Sequence, residues 1–112
     1  MLQEVDTLSR LEKDIQAAIC SYLRLRGHFF WRNNTVGVYD AKRKTYRKTQ
    51  KYGLVGLPDI LLLSEGNLIG IEVKSEKGKQ SAAQKEIEKM FLENGAAYVL
   101  ARTVDDVMEV GL

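Results

Sequence analysis

Three ionisable side chains interrupt the most apolar part of this sequence. In GLPDILLLSEGNLIGIEVKS, residues 56–75, Asp59, Glu72 and Lys74 lie inside two hydrophobic runs, where an uncompensated charge is costly. Side chains alternate along a strand, so Glu72 and Lys74 share one face while Ile71 and Val73 take the other. A turn centred between Glu65 and Gly66 sets Asp59 directly opposite Glu72, with Cβ atoms about 5 Å apart. Like charges so placed destabilise a sheet. Clustered carboxylate oxygens are also what a hard divalent cation prefers. A cation between the two acids, with Lys74 one step along the same face, makes a site for chemistry on an anion. The plainer alternative is an ion pair at frayed strand ends; it accounts for one acid and leaves the second without a role.

Two further residues bear on the same chemistry. Leu8, Leu11, Ile15, Ile19, Tyr22 and Leu23 recur at helical spacing, and at about 100° per residue Glu12 falls inside their stripe. An acid on the core-facing side needs a partner, and a metal held by Asp59 and Glu72 would be one. Against this, Ser9-Arg10-Leu11-Glu12 matches a capping box, in which Glu12 would bond only the Ser9 backbone. Gln84 is ambiguous in the same way. Ser81-Ala82-Ala83-Gln84 is a capping-box pattern, yet it opens a helix that packs back on the sheet soon after Lys74. A helix N-terminus there would favour an anion, with Gln80 a weaker candidate for the same task. His28, the only histidine, is read as structural.

The elements that must position these groups alternate along the chain. A helix is expected from about Thr7 to Arg26, ended by Gly27. A short aromatic strand follows over 28–32, then an extended basic excursion over 36–52. Strands over 58–63 and 68–74 are joined across Ser64-Glu65-Gly66-Asn67. An amphipathic helix over 81–94, a strand over 96–101 and a helix over 103–110 complete one α/β domain spanning residues 1–112. Leu25 lies off the first helix's stripe, and Val107, Val110 and Leu112 exceed what a short terminal helix needs for docking. They suggest the apolar face of a homodimer, together with Tyr22 and Leu23.

Composition narrows the class. The chain has 112 residues, 45% hydrophobic and 29% charged, which is ordinary for a globular domain. No stretch approaches the roughly 20 apolar residues of a membrane span, and the first residues do not read as a secretory signal. A single cysteine, Cys20, excludes an intrachain disulfide and a Cys-rich zinc site. A cytoplasmic location is expected. The net charge of +2 conceals a block of Lys42, Arg43, Lys44, Arg47, Lys48 and Lys51 with Tyr46 inside it and Tyr39 and Tyr52 beside it. Cations interleaved with aromatics suit a nucleic-acid backbone; the alternative is a solvated loop that aids solubility.

Taken in order, these segments resemble a known family. Gly56-Leu57-Pro58-Asp59 followed by Glu72-Val73-Lys74 resembles the PD-(D/E)xK nuclease signature. With Glu12-Lys13-Asp14-Ile15-Gln16, Trp31-Arg32-Asn33-Asn34 and Ser81-Ala82-Ala83-Gln84, the pattern is similar to the VRR-NUC family in its compact stand-alone form, from about residue 9 to 101. The resemblance implies a restriction-endonuclease-like αβββαβ core with a mixed sheet flanked by helices, and metal-dependent phosphodiester hydrolysis. It implies that Asp59 and Glu72, with the Val73 carbonyl and Glu12, hold Mg²⁺ or Mn²⁺. Lys74 becomes the catalytic lysine and Gln84 the helix-start glutamine of the catalytic set. DNA is the expected substrate, contacted by Arg32 and the basic block. One branch of the family resembles Holliday-junction resolvases, which fits the expected homodimer and selectivity for branched DNA. The alternative is a DNA-binding module, or a subunit of a replication or repair complex, without cleavage activity. The stretch between Asn34 and Gly56 departs from the family, so no contact there carries over.

Overall fold

The N-terminal apolar stripe folds as α1 (Leu2–Leu25). Gly27, at φ 78°, turns the chain out of it, and the His28 N–H donates to the Leu23 carbonyl at 3.1 Å. Next come β1 (Phe29–Arg32), β2 (Tyr39–Asp40), β3 (Thr45–Tyr46), β4 (Ile60–Ser64), β5 (Asn67–Val73), α2 (Ala82–Glu93), β6 (Ala97–Ala101) and α3 (Val104–Glu109). This computed structural model describes the backbone of residues 2–33, 39–40, 45–46 and 51–112, and side chains over 11–33 and 51–112.

The main sheet has four strands in the order β1-β4-β5-β6, antiparallel except for the parallel β5–β6 pair. Its mixed character follows from connection length. β4 and β5 are joined by a two-residue turn with Glu65 at φ 50° and Gly66 at φ 81°, the geometry that matches strand twist. A β5-to-β6 return in parallel needs a helical crossover, and α2 supplies it. The register Ile60↔Ile71 through Ser64↔Asn67 is the one expected from a turn centred on Glu65-Gly66.

Register decides what each face carries. Ile60, Leu62, Ile71, Val73 and Ala101 point to one side, where they bury against Ile19 and Leu23 of α1 and Val107 of α3. The opposite face carries Trp31, Leu61, Gly70 and Tyr98 in one row. There Phe91 of α2 meets Tyr98 edge-on, with ring centroids 6.1 Å apart.

Three expectations need correction. First, α1 begins at Leu2 rather than near Thr7, because the residues before Thr7 contain no helix breaker and the helix simply continues. Ser9 is therefore interior to the helix, and the capping box with Glu12 does not exist. Second, Leu23, Val107 and Leu112 are buried in the chain's own core, since α3 docks on α1 and β6 instead of presenting an outer face. Of the residues assigned to a dimer surface, Leu25 at 87% and Val110 at 55% remain exposed. Third, the basic excursion contains a small antiparallel ladder, Tyr39↔Tyr46 and Asp40↔Thr45. Lys42, Arg43, Lys44, Arg47 and Lys48 lie outside the described residues. Lys51 is exposed, with its Nζ 5.4 Å from the Tyr52 ring centroid.

Gly56 shows how the fold brings the sheet to the start of α2. Its φ is 86°, and a Cβ there would lie 2.7 Å from the Ala83 carbonyl carbon and 2.9 Å from the Gln84 nitrogen. Only glycine accepts both constraints. Gly56→Ala is expected to destabilise the protein by at least about 2 kcal/mol, from positive-φ strain plus displacement of helix backbone. A thermal or urea melt checks this, and an unchanged midpoint would contradict the packing described.

Candidate active site

Asp59 immediately precedes β4 and continues its register. The Asn33 N–H donates to the Asp59 carbonyl at 2.8 Å, and the Val73 N–H donates to Asp59 Oδ2 at 2.8 Å. The residue is thereby pinned between β1 and β5, in the row of Asn33 and Glu72. Glu72 is 2% exposed, an extreme position for a carboxylate. Its Oε2 accepts from Gln84 Nε2 at 3.1 Å and stands 4.0 Å from Lys74 Nζ. Its Oε1 is buried without a hydrogen-bond partner among the described residues.

Burial above all, then the neighbouring Asp59 carboxylate, pushes the Glu72 carboxyl up to about 8. Lys74 opposes the rise, and Glu12 adds to it. At neutral pH the metal-free pair therefore holds a proton, which relieves the like-charge repulsion.

Gln84 resolves its ambiguity by filling both roles at once. Its Oε1 accepts from the Ser81 N–H at 2.9 Å while the Ser81 Oγ accepts from the Gln84 N–H at 3.1 Å, closing the capping box. The same amide's nitrogen is the donor to Glu72. A capping residue with two functional ends is what the planar amide permits.

Glu12 approaches from the other side of the sheet's end. Its Oε1 accepts from the Ser75 N–H at 3.4 Å, and a Cβ on Gly78 would come within 2.9 Å of that oxygen. It reaches the strand after Lys74 rather than the space between Asp59 and Glu72. Among the described residues, no three His, Cys, Asp or Glu side chains are grouped to hold a metal ion. Two neighbouring carboxylates, one with a buried oxygen that has no hydrogen-bond partner among the described residues, nonetheless fit a hard divalent cation, which would take the place of that proton.

Several contributors had no legible signal in the sequence. Arg102, just after β6, donates through Nη1 to the carbonyls of Ser75, Glu76 and Gly78. One guanidinium thus ties down the loop that follows Lys74 and carries the amide bonded to Glu12. Its partners are 24 to 27 residues away in sequence, which no local pattern reports. Gln80 turns from the site to Glu88 Oε1 and the Tyr98 hydroxyl, at 3.1 and 3.2 Å. Burial, with Glu72 and other acids adding, raises the Tyr98 hydroxyl to about 12 against the lowering effect of the Gln80 bond. Arg32 is exposed but alternates to the α1 face, where its charge bears on the Cys20 thiol. His28 Nε2 lies 2.8 Å from the Leu112 carbonyl oxygen, a structural tie as expected.

Arg102→Ala is expected to leave three carbonyls without their charged donor and to destabilise the protein by about 1–3 kcal/mol. Amides 75–78 should lose hydrogen-exchange protection while those of β4 and β5 keep theirs. Uniform loss across the sheet would show that the guanidinium supports the whole fold rather than this loop.

The architecture is a mixed four-stranded sheet with helices on both faces and a carboxylate pair and lysine at one end of its central strands. Two solved structures share it. One, named "VRR_NUC domain", superposes with a TM-score of 0.65 at 20% identity and covers 91% of this chain and 98% of that chain. Another, named "VRR_NUC domain protein", has a TM-score of 0.64 at 22% identity, covering 88% of this chain and 83% of that one. The chain has the VRR_NUC fold, the one its motifs resemble. No family model matches the sequence, and no curated protein does.

Proposed function

We propose that the chain is a divalent-metal-dependent endonuclease that hydrolyses phosphodiester bonds in DNA, with selectivity for branched structures. The observation that carries this reading is Glu72: a carboxylate 2% exposed, facing a second carboxylate, with one oxygen unpartnered among the described residues and a lysine nitrogen 4.0 Å from the other. A structural role alone gives no reason to bury one carboxylate beside a second. Asp59 and Glu72 would hold Mg²⁺ or Mn²⁺, with the Val73 carbonyl as a further ligand; Glu12 would have to leave the Ser75 N–H to join them. A bound cation of this kind supplies Lewis acidity toward phosphate and lowers the pKa of water.

The chain's own residues do the rest. The Val73 amide holds Asp59, and Gln84 fixes Glu72 from the opposite side. Lys74 stands next to the pair on the same face, placed to donate to a phosphate oxygen as negative charge builds there. The basic block supplies the sequence-independent attraction to phosphates. As a homodimer the protein would present two such sites to a four-way junction, and Leu25 and Val110 are exposed apolar positions available for that contact.

A second reading draws on the lack of a ready three-carboxylate cage among the described residues: a DNA-binding module or complex subunit that does not cleave. Cleavage of a panel of linear, nicked, flapped and four-way DNAs with Mg²⁺ or Mn²⁺ separates the two. Binding without cleavage under both metals would overturn the nuclease reading.

A further inference from the structure

The face of the sheet that carries Asp59 and Glu72 is only partly covered. α2 lies over its β5–β6 half, and Pro58 and Phe91 close on Gly70 so tightly that a Cβ there would meet them at 2.6 and 2.8 Å. The β1–β4 half is open: Phe29 is 66% exposed, and Trp31 and Leu63 are each 39% exposed. Phe29 and Trp31 lean on one another with ring centroids 5.7 Å apart at 47°. The pairs Trp31↔Leu61 and Phe29↔Leu63 place both rings on the catalytic face. Trp31 stands one step back from the row of Asn33, Asp59 and Glu72, roughly 8 Å from Asp59 by strand spacing.

Two observations identify what this surface takes. The rings stand on the same face as Asp59 and Glu72, so a strand lying over the acids continues over them; Asn33 adds no donor to that open surface, since its Nδ2 is buried, without a hydrogen-bond partner among the described residues. The sequence between β1 and β4 carries Lys42, Arg43, Lys44, Arg47, Lys48 and Lys51, of which only Lys51 is among the described residues, and that concentration of cations matches a polyanion rather than another apolar face. Exposed aromatic rings on a chain with such a block are the recognition chemistry of single-stranded nucleic acid.

We propose that Phe29 and Trp31 stack an unpaired nucleotide base beside the cleavage site. The platform rests on the nuclease reading for its place beside the scissile bond. Among branched DNAs it favours those with a single-stranded tail or gap at the cut over a fully paired four-way junction, because a base inside a duplex has no face free to stack.

The test is binding without divalent metal, so that it does not depend on catalysis. Trp31 is the only tryptophan, and its emission should be quenched by a duplex with a short thymidine tail and unchanged by the same duplex with an abasic tail. By anisotropy with labelled DNA, Trp31→Ala should weaken the thymidine-tailed duplex between about 5- and 150-fold, down to the level of the abasic tail. Trp31→Phe should retain most of the affinity. Equal binding of thymidine and abasic tails by the wild-type protein would overturn the proposal, whether or not the protein cleaves. So would concentration-dependent burial of Trp31 on self-association seen by light scattering without DNA, which would assign the face to a second copy of the chain.

Discussion

Lys74→Ala is expected to lower metal-dependent DNA cleavage by about 10²- to 10³-fold, the usual effect of removing one donor aimed at developing charge. Folding should be little affected. Lys74 opposes the upward shift of the Glu72 carboxyl, so its loss leaves Glu72 more fully protonated rather than bare, and a protonated carboxyl tolerates burial. Glu72→Gln and Asp59→Asn should reduce cleavage at least as far, since each removes a charge from the pair that would hold the cation. Single-turnover rates with saturating Mg²⁺ or Mn²⁺, alongside thermal melts, test this. Near-wild-type cleavage by any of the three would dismiss the assignment of the site.

The second large effect concerns stability and pH. In the metal-free protein Glu72 has its carboxyl raised from 4.5 to about 8. Between those values the folded state binds the proton more tightly than the unfolded state does. Stability is therefore greatest below the unfolded value and declines as pH climbs through the folded one. The decline should amount to about 2–4 kcal/mol, given the burial and the neighbouring Asp59 charge. Glu72→Gln removes the titration. In urea melts with EDTA, the variant should be the more stable protein at pH 8.5, and its stability should change less from pH 5 to 8.5. Parallel curves for the two proteins would mean that another group carries the dependence.

The hairpin that carries Asp59 and Glu72 was legible in the sequence because everything about it is local. The two-residue turn fixes the register, the register fixes the face, and alternation then brings Asp59 and Glu72 together without knowledge of any other element. The elements and their order followed equally from periodicity, apart from the β2–β3 ladder within the extended excursion and the start of α1, where the absence of a stop signal left the boundary open. Gln84 was legible in kind and not in role, since a capping box looks the same whether or not the amide's other end is used. The failures share one cause. Arg102, the buried Asn33 amide, and the burial of Val107 and Leu112 depend on which distant segments meet. An exposed apolar residue and a docking one have the same side chain, and only packing distinguishes Leu25 from Leu23.

The single amide of Gln84 closes the first turn of α2 and also grips Glu72. Helix ends ordinarily fray on their own, as the cheapest local opening a fold undergoes. Here that opening cannot occur alone, because unwinding the turn releases a buried carboxylate. Order in the helix end and order in the carboxylate pair therefore share one equilibrium, and a ligand that immobilises Glu72 would slow hydrogen exchange at the amides of Ser81 and Gln84 as well.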